Sequence, residues 1–344
     1  MMSFRVNLRN SWSRLEALWR NRQEQRLGRG PHPFWAMVSK EAADHIRSWR
    51  FNILLILVAL TCLASLYSAL EQFHANAGSE ELDSSFVFLQ LFTLSDGTLP
   101  SFITFIGFLG PLLGIGMGFD AINAEQNKGT LSRILAQPVH RDYIINAKFT
   151  ASLIVVGIMF FALTMIVAGA GIITLGIPPT PSEFWRILFF VLLTVCYIAF
   201  WLNLSILFSV RFKQAATSAL CAMAVWIFFS VFYDLVMRLV SRWLAPSTNA
   251  SVDELVSYQE WMQNLMRISP NQLYSEGTTT LLMPSVRSLG PLTVEQVYGA
   301  IPSPLSLGQS LLLVWPQITG LAALTIVCFA ISYVLFMRKE VRAR

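Results

Sequence analysis

Six stretches of this 344-residue chain carry almost no charge, and each is long enough to cross a bilayer as a helix. Hydrocarbon roughly 30 Å thick needs about 20 apolar residues in α-helical form. The stretches are Ile53–Leu70, Leu99–Phe119, Phe149–Ile177, Ile187–Val210, Ala215–Met237 and Leu311–Met337. They are continuous rather than alternating, which favours helices over barrel strands, and the third is long enough to tilt. Charged residues make up 13% of the chain and hydrophobic ones 54%. An ordinary soluble domain carries about 25% charged residues, and disorder needs the opposite composition. The expected fold class is therefore an all-α integral membrane protein with about six transmembrane helices.

The remaining charges are sorted by side. Of the 25 Lys and Arg residues, 20 lie before the first span, between the second and third, between the fourth and fifth, or after the sixth. The alternate side holds 5 (Arg186, Arg238, Arg242, Arg267 and Arg287) and 12 of the 20 acids, so the two sides carry +12 and −7. The positive-inside rule then puts both termini in the cytoplasm of a multi-pass cell-membrane (inner or plasma membrane) protein. Because the basic residues flank spans, topology explains the net +5, and no nucleic-acid partner is expected. The first apolar run starts about fifty residues in and has no small-residue cleavage site after it, so no signal peptide is expected. Cys62, Cys196, Cys221 and Cys328 all fall inside spans and read as small buried apolar residues.

Five regions follow. Residues 1–33 form a basic cytoplasmic extension, with Leu8, Trp12, Leu15 and Trp19 on one helical face; a surface helix and a basic tail both fit. Residues 34–50 read as an interfacial amphipathic helix leading into the first span, with Trp35, Val38, Ala42, Ile46 and Trp49 on one side. Lys40, Glu41, Asp44, Arg47 and Arg50 fill the other side. Residues 51–240 hold spans one to five and the loop 120–148. Residues 241–310 form an extracytoplasmic segment, expected as a small external cap with a helix around Leu255, Tyr258, Met262, Leu265 and Met266. Residues 311–344 hold the last span and a basic tail. In the second span, Gly110, Gly114 and Gly118 recur every fourth residue and form a smooth ridge for close helix packing. The neighbour on that ridge belongs either to the same chain or to a second copy.

Several chemistries lack their parts. A P-loop lysine follows a glycine, whereas the five lysines follow Ser39, Asn127, Ala147, Phe212 and Arg338. His32, His45, His74 and His140 are scattered, without a metalloprotease or other metal-ligand spacing. There is no nucleophile elbow, and no span holds two ionisable residues in its middle. Asp234 and Arg238 are expected to form a local i,i+4 salt bridge, and Asn203 to hydrogen-bond a neighbouring helix. No catalysis by the chain itself is expected.

The loop Asp120–Lys148 is the most informative segment. A helix leaves the membrane and breaks at Gly129. A short amphipathic helix follows (Leu131, Ile134, Leu135), then Pro138 and a new start at Arg141-Asp142. At roughly thirty residues it is longer than a connector needs, and a short helix held between two spans suits docking to another protein. In Glu125, Gly129-Thr130-Leu131, Leu135, Pro138, Arg141 and Lys148 the loop resembles the permease subunits of type-2 ABC transporters. The layout resembles theirs too: an amphipathic lead-in helix, six spans, and external helices before the last. Ser132 and Ala147 depart from the pattern, where an acid and a glycine are common. The nearest branch is the one that includes the permease for nitrous-oxide reductase maturation, with no substrate implied.

The resemblance implies a separate ABC ATP-binding subunit in two copies, carrying ATP and magnesium that this chain does not bind. It implies a second permease copy, as a homodimer, forming an export path. It implies coupling to the ATPase through Glu125, Gly129, Thr130, Leu131, Leu135, Pro138 and Arg141. Substrate-binding residues are unassigned. The competing classes are an ion-driven secondary transporter, whose intramembrane ionisable residues and internal repeat are missing, and a membrane scaffold that transmits force without moving a solute.

Overall fold

A computed structural model of the chain describes residues 32–76, 86–136, 140–176, 178–246, 251–285 and 304–339. The amphipathic pattern of residues 1–29 lies outside these, as does Pro138. Among the described residues every regular element is helical.

Six helices are long and apolar enough to span a membrane. A short amphipathic helix, α1 (Pro33–Arg47), precedes them, started by Pro33 in its first turn and ended where Ser48 turns extended. The first span, α2 (Trp49–Asn76), follows at once. After α3 (Val87–Thr93) comes the second span, α4 (Phe102–Gly118), continued by α5 (Asn123–Asn127). The loop helix α6 (Thr130–Leu135) leads to the third span, α7 (Arg141–Leu175), which ends at Gly176 in a left-handed conformation. The fourth span, α8 (Pro181–Arg211), opens with a capping box between Thr180 and Glu183. The fifth consists of α9 (Ala215–Ile227), a π turn (Phe228–Phe232) and α10 (Tyr233–Leu244). Then come α11 (Val252–Met266), α12 (Pro270–Leu282) and the last span, α13 (Leu307–Arg338).

The fourth span is the centre of the bundle. Of its most apolar window 67% is buried, against 22% for the fifth and sixth spans. The glycine ridge of α4 lies on α8 of the same chain. A methyl group on Gly114 would sit 2.9 Å from the Ile198 carbonyl oxygen and 3.0 Å from the Leu202 nitrogen. One on Gly118 would sit 2.8 Å from the Leu202 carbonyl oxygen, while one on Gly110 meets side-chain carbon, with Ile198 nearest at 3.1 Å. Two helix backbones therefore touch, and any side chain at Gly114 or Gly118 would wedge them apart.

Three local expectations need correction. The segment before the last span is not only an outer cap, because α12 runs inside the bundle. Tyr274 stacks on Tyr197 with ring centroids 4.3 Å apart. Tyr197 is at the midpoint of α8, about 24 Å from its start by helical rise. The alternation of small and hydroxyl residues in α12 looks polar, yet Thr278 and Thr280 return their hydroxyls to carbonyls of their own helix. Asp234 and Arg238 form no ion pair: both are exposed, and an exposed i,i+4 pair is worth only a few tenths of a kcal/mol. Asn203 is fully buried without a hydrogen-bond partner on either side-chain atom. One heptad further along α8, Lys339 bonds the Val210 carbonyl at 2.7 Å and ties the end of α13 to α8.

The ridge geometry predicts a ranking. Gly118→Ala and Gly114→Ala should each destabilise by roughly 1–3 kcal/mol. Gly110→Ala should do so less, and Gly169→Ala, with open space around it, should not. Thermal unfolding midpoints of the purified variants in one detergent check this order.

Candidate functional site

The end of the bundle that carries the loop between α4 and α7 is held by charge. Lys148, in the second turn of α7, is 6% exposed. Its ammonium donates to Glu41 Oε2 on α1 and to Glu125 Oε1 on α5, each at 2.8 Å. The other Glu41 oxygen takes Lys40 at 2.9 Å. One buried cation thus fastens the amphipathic helix, the loop and the third span together. Beside it Arg50, at the start of α2, pairs with Asp120 below α4. These groups line a cleft of ≈ 440 Å³ floored by Phe51, Leu54 and Met117.

Burial alone would raise the pKa of Glu41, but Lys148 and Lys40 outweigh it and hold the carboxyl below its usual range. Its contribution to stability is therefore present at neutral pH and is lost as pH falls through that lowered value. His45 bonds Ser152 at 2.9 Å between α1 and α7. Burial, with Lys148 nearby, pushes its pKa down. The unfolded or undocked histidine then binds a proton first, so stability falls as pH drops below about 6.5.

The loop is built on the same junction. The amides of Ile122 and Asn123 donate to Ser209 Oγ of α8 at 2.9 and 3.2 Å, which ties α5 to the central span. Asn127 reaches the Lys213 carbonyl at 3.0 Å. Gly129 has φ +69 and reverses the chain between α5 and α6, a conformation glycine adopts without strain. The Thr130 hydroxyl donates to the Glu125 carbonyl at 3.2 Å, and Ser132 to the Gly129 carbonyl at 2.9 Å. Leu131 is 1% exposed and belongs to the main apolar core with Ile122, Ile144 and Ile145. Its face therefore turns inward, and Lys128, Gly129 and Arg133 are what the loop presents outward. Leu135 closes α6. Arg141 lies apart from these residues: its guanidinium bonds the carbonyls of Phe336 and Lys339 and covers the Phe336 ring at 5.2 Å, clamping the end of α13.

Sequence reasoning missed Glu41, which it placed with the solvated face of α1. The available signal was Lys148 itself: a lysine at the mouth of an apolar span needs a carboxylate. It missed a second cleft as well. This one, ≈ 380 Å³, lies between α4, the π turn and α12, with Tyr197, Ser230, Asp234 and Asn271 among its lining. The single Tyr197 hydroxyl proton has Asn271 Oδ1 at 2.7 Å and the Gly107 carbonyl at 3.0 Å as acceptors, and Asn271 donates to Ser230 at 2.7 Å. Among the described residues no cluster of His, Cys, Asp or Glu could hold a metal ion.

Comparison with known proteins adds the family. Residues 35–341 match the profile described as ABC-2 family transporter protein. The chain belongs to this family. Two relatives are named "Probable ABC transporter permease protein NosY". The one from Pseudomonas aeruginosa is 27% identical over 211 residues, 59% of this chain and 69% of the relative. The one from Stutzerimonas stutzeri is 26% identical over 212 residues, 59% and 68% of the two chains. The protein is thus a multi-pass membrane permease subunit of an ABC transporter, and membership implies an ATP-binding partner subunit.

Lys148→Met should leave two buried carboxylates without a counter-ion and lower stability by roughly 3–5 kcal/mol. Glu41→Gln and Glu125→Gln added together to Lys148→Met should recover most of it; thermal unfolding of the wild type and the two variants decides. In a separate measurement, amide exchange of α1, corrected for intrinsic rates, should rise between about pH 7.5 and about pH 5.5. His45→Gln should flatten that rise.

Proposed function

We propose that this permease couples ATP binding on its partner subunits to an outward-directed path formed between two copies of the chain. The basic end faces the cytoplasm with both termini, and an ATP-binding subunit, carrying ATP and magnesium, docks on the outward face of the α5–α6 elbow. The observation that carries this reading is the Glu41–Lys148–Glu125 bridge. It makes the elbow inseparable from α1 and α7, so a push on the loop is a push on the spans. Gly129 and Thr130 shape the elbow, Leu131 seats it, and Arg141 passes its movement to the last span; Leu135 and Pro138 belong to the same coupling set. ATP favours the closed pair of ATPases, and that differential affinity biases the path between inward- and outward-facing states. Closing the basic end opens the other, and the polar cleft at the level of Tyr197 is the stretch of path a solute meets. The charge sorting of the loops supports the orientation.

The test uses the permease purified with its ATP-binding subunit. Lys128→Glu and Arg133→Glu act on the exposed face and spare both the Gly129 turn and the core packing of Leu131. Each should reduce complex formation about tenfold or more, as charge reversal at an interface does. Glu125→Gln should instead keep the complex and uncouple it, so that hydrolysis no longer responds to the permease. Wild-type assembly and wild-type coupled hydrolysis in all three would sink the coupling assignment.

A further inference from the structure

The basic residues at the loop-bearing end converge more closely than topology requires. The Lys339 ammonium donates to the Val210 carbonyl at 2.7 Å, which joins the ends of α13 and α8. Arg338 stands one residue before Lys339, and Arg211 and Lys213 stand one and three residues after Val210. Arg141, at the start of α7, bonds the carbonyl of Lys339 itself. Five cations from three separate stretches of sequence thus gather at one hydrogen bond. Arg211, Lys213 and Arg338 are exposed. None of the five forms an ion pair with a described residue, and neither does Asp142, the acid beside Arg141. Burial, with Lys213 and Arg211 nearby, holds the Lys339 ammonium below its ordinary pKa, as like charges do to one another. The positive-inside rule places basic residues on this side, but it does not bring three segments together. A cation cluster without a counter-ion among its neighbours is a site for an anion.

We propose that this cluster holds the phosphate of an anionic phospholipid whose acyl chains lie along the last turns of α13. Level and surroundings select a lipid over a soluble anion or a protein. Arg211 and Arg338 are the last residues of two membrane-spanning helices, so their guanidinium groups stand where headgroup phosphates lie. Val334, Leu335 and Met337, exposed in the turn before Arg338, offer apolar surface to the chains. Phe212, with the Arg211 guanidinium over its ring at 6.0 Å, adds an apolar edge. The bond to Val210 uses one of the three N–H donors of Lys339 and leaves two for phosphate oxygens. Arg211 and Arg338 add forked donors that match a phosphate. Asn127 bonds the Lys213 carbonyl at 3.0 Å, so the lipid rests on the same turn that supports the α5–α6 elbow. The assignment depends on the chain lying in a bilayer and not on the coupling reading above.

Native mass spectrometry of the full-length permease tests it. The chain is purified in detergent, stripped of lipid, and titrated with phosphatidylglycerol, with phosphatidylcholine, and with phosphatidylglycerol in excess inorganic phosphate. The wild-type chain should bind one phosphatidylglycerol about tenfold or more tighter than phosphatidylcholine, and inorganic phosphate should not displace it. The triple variant R211Q/K213Q/R338Q should weaken that binding about a hundredfold, at roughly fivefold per cation. The control K128Q/R133Q removes two cations from the elbow and should stay within about threefold of wild type, where diffuse positive charge would predict about 25-fold. Thermal unfolding midpoints without lipid should match wild type in both variants, because none of these side chains has a charged partner in the chain. Equal affinity of the wild type for the two lipids overturns the proposal, and so does a triple variant that keeps the lipid or an elbow control that loses it as strongly. Displacement by phosphate makes the site one for a free anion. Displacement on adding the ATP-binding subunit makes it a protein contact, and either result overturns the lipid assignment.

Discussion

The ammonium of Lys148 organises one end of this molecule. A buried lysine is tolerated only with full compensation, and it takes one carboxylate from a helix 107 residues away and another from the loop before it. Apolar packing contributes beside it: Val38 packs with Ala147 and Ala151, with Phe34, Met37 and Ala42 around them, and the Phe34 ring meets Tyr143 edge-on. The position of the amphipathic helix is therefore set by this packing and by the ion together. Through Lys148, Glu41 of α1 and Glu125 of α5 share one cation.

The opposite end solves the same problem with different partners. Arg186 is fully buried in the second turn of α8. It donates to the carbonyls of Leu281 and Leu305, at 3.0 and 2.6 Å, and to Ser310 at 3.0 Å, and covers the Phe86 ring. A cation at the end of α12 meets the negative end of that helix. Glu276, inside α12, accepts from Arg267, Gln272 and Gln317 at 2.9, 3.0 and 2.9 Å. These two residues let a helix as polar as α12 enter the bundle. Without them its last carbonyls and its carboxylate would face hydrocarbon unpaired.

The spans were readable from sequence because the bilayer imposes one rule on each of them separately: about twenty residues without charge. The loop between α4 and α7 was readable because its breaks are local, Gly129 above all. What escaped depends on distant partners. Glu41 sits in a helical pattern where acids belong to solvent, and only Lys148, far along the chain, reverses that. The polar residues of α12 suggested an outer segment, since neither the inward-turned hydroxyls nor Tyr197 beneath them can be seen in α12 alone. The π turn leaves no mark in an apolar run. The glycine ridge was visible as a ridge, but its neighbour was not, because a repeat on one helix says nothing of the surface it meets.

Both ends are fastened to α8, and this constrains how movement can travel. At the basic end Ser209 holds the start of α5, and Lys339 holds the Val210 carbonyl. Halfway along, Tyr197 holds Asn271 of α12; near the start, Arg186 holds the end of α12. A continuous helix of 31 residues packed against backbone along the α4 ridge has little room to bend, since close-packed interiors pass strain on rather than absorb it. Displacement of the α5–α6 elbow must then do one of two things. It either breaks the Ser209 bonds and leaves α8 behind, or carries α8 and α4 together and shifts Tyr197 relative to the π turn. The second route keeps the Ser209 bonds intact. Losing the first set would strand two amides and a hydroxyl at roughly 1–3 kcal/mol each. The fold therefore favours motion in which the central pair moves as one piece, and the cleft beside it, bounded on the other side by the lightly packed fifth span, is where that motion changes the shape of the path.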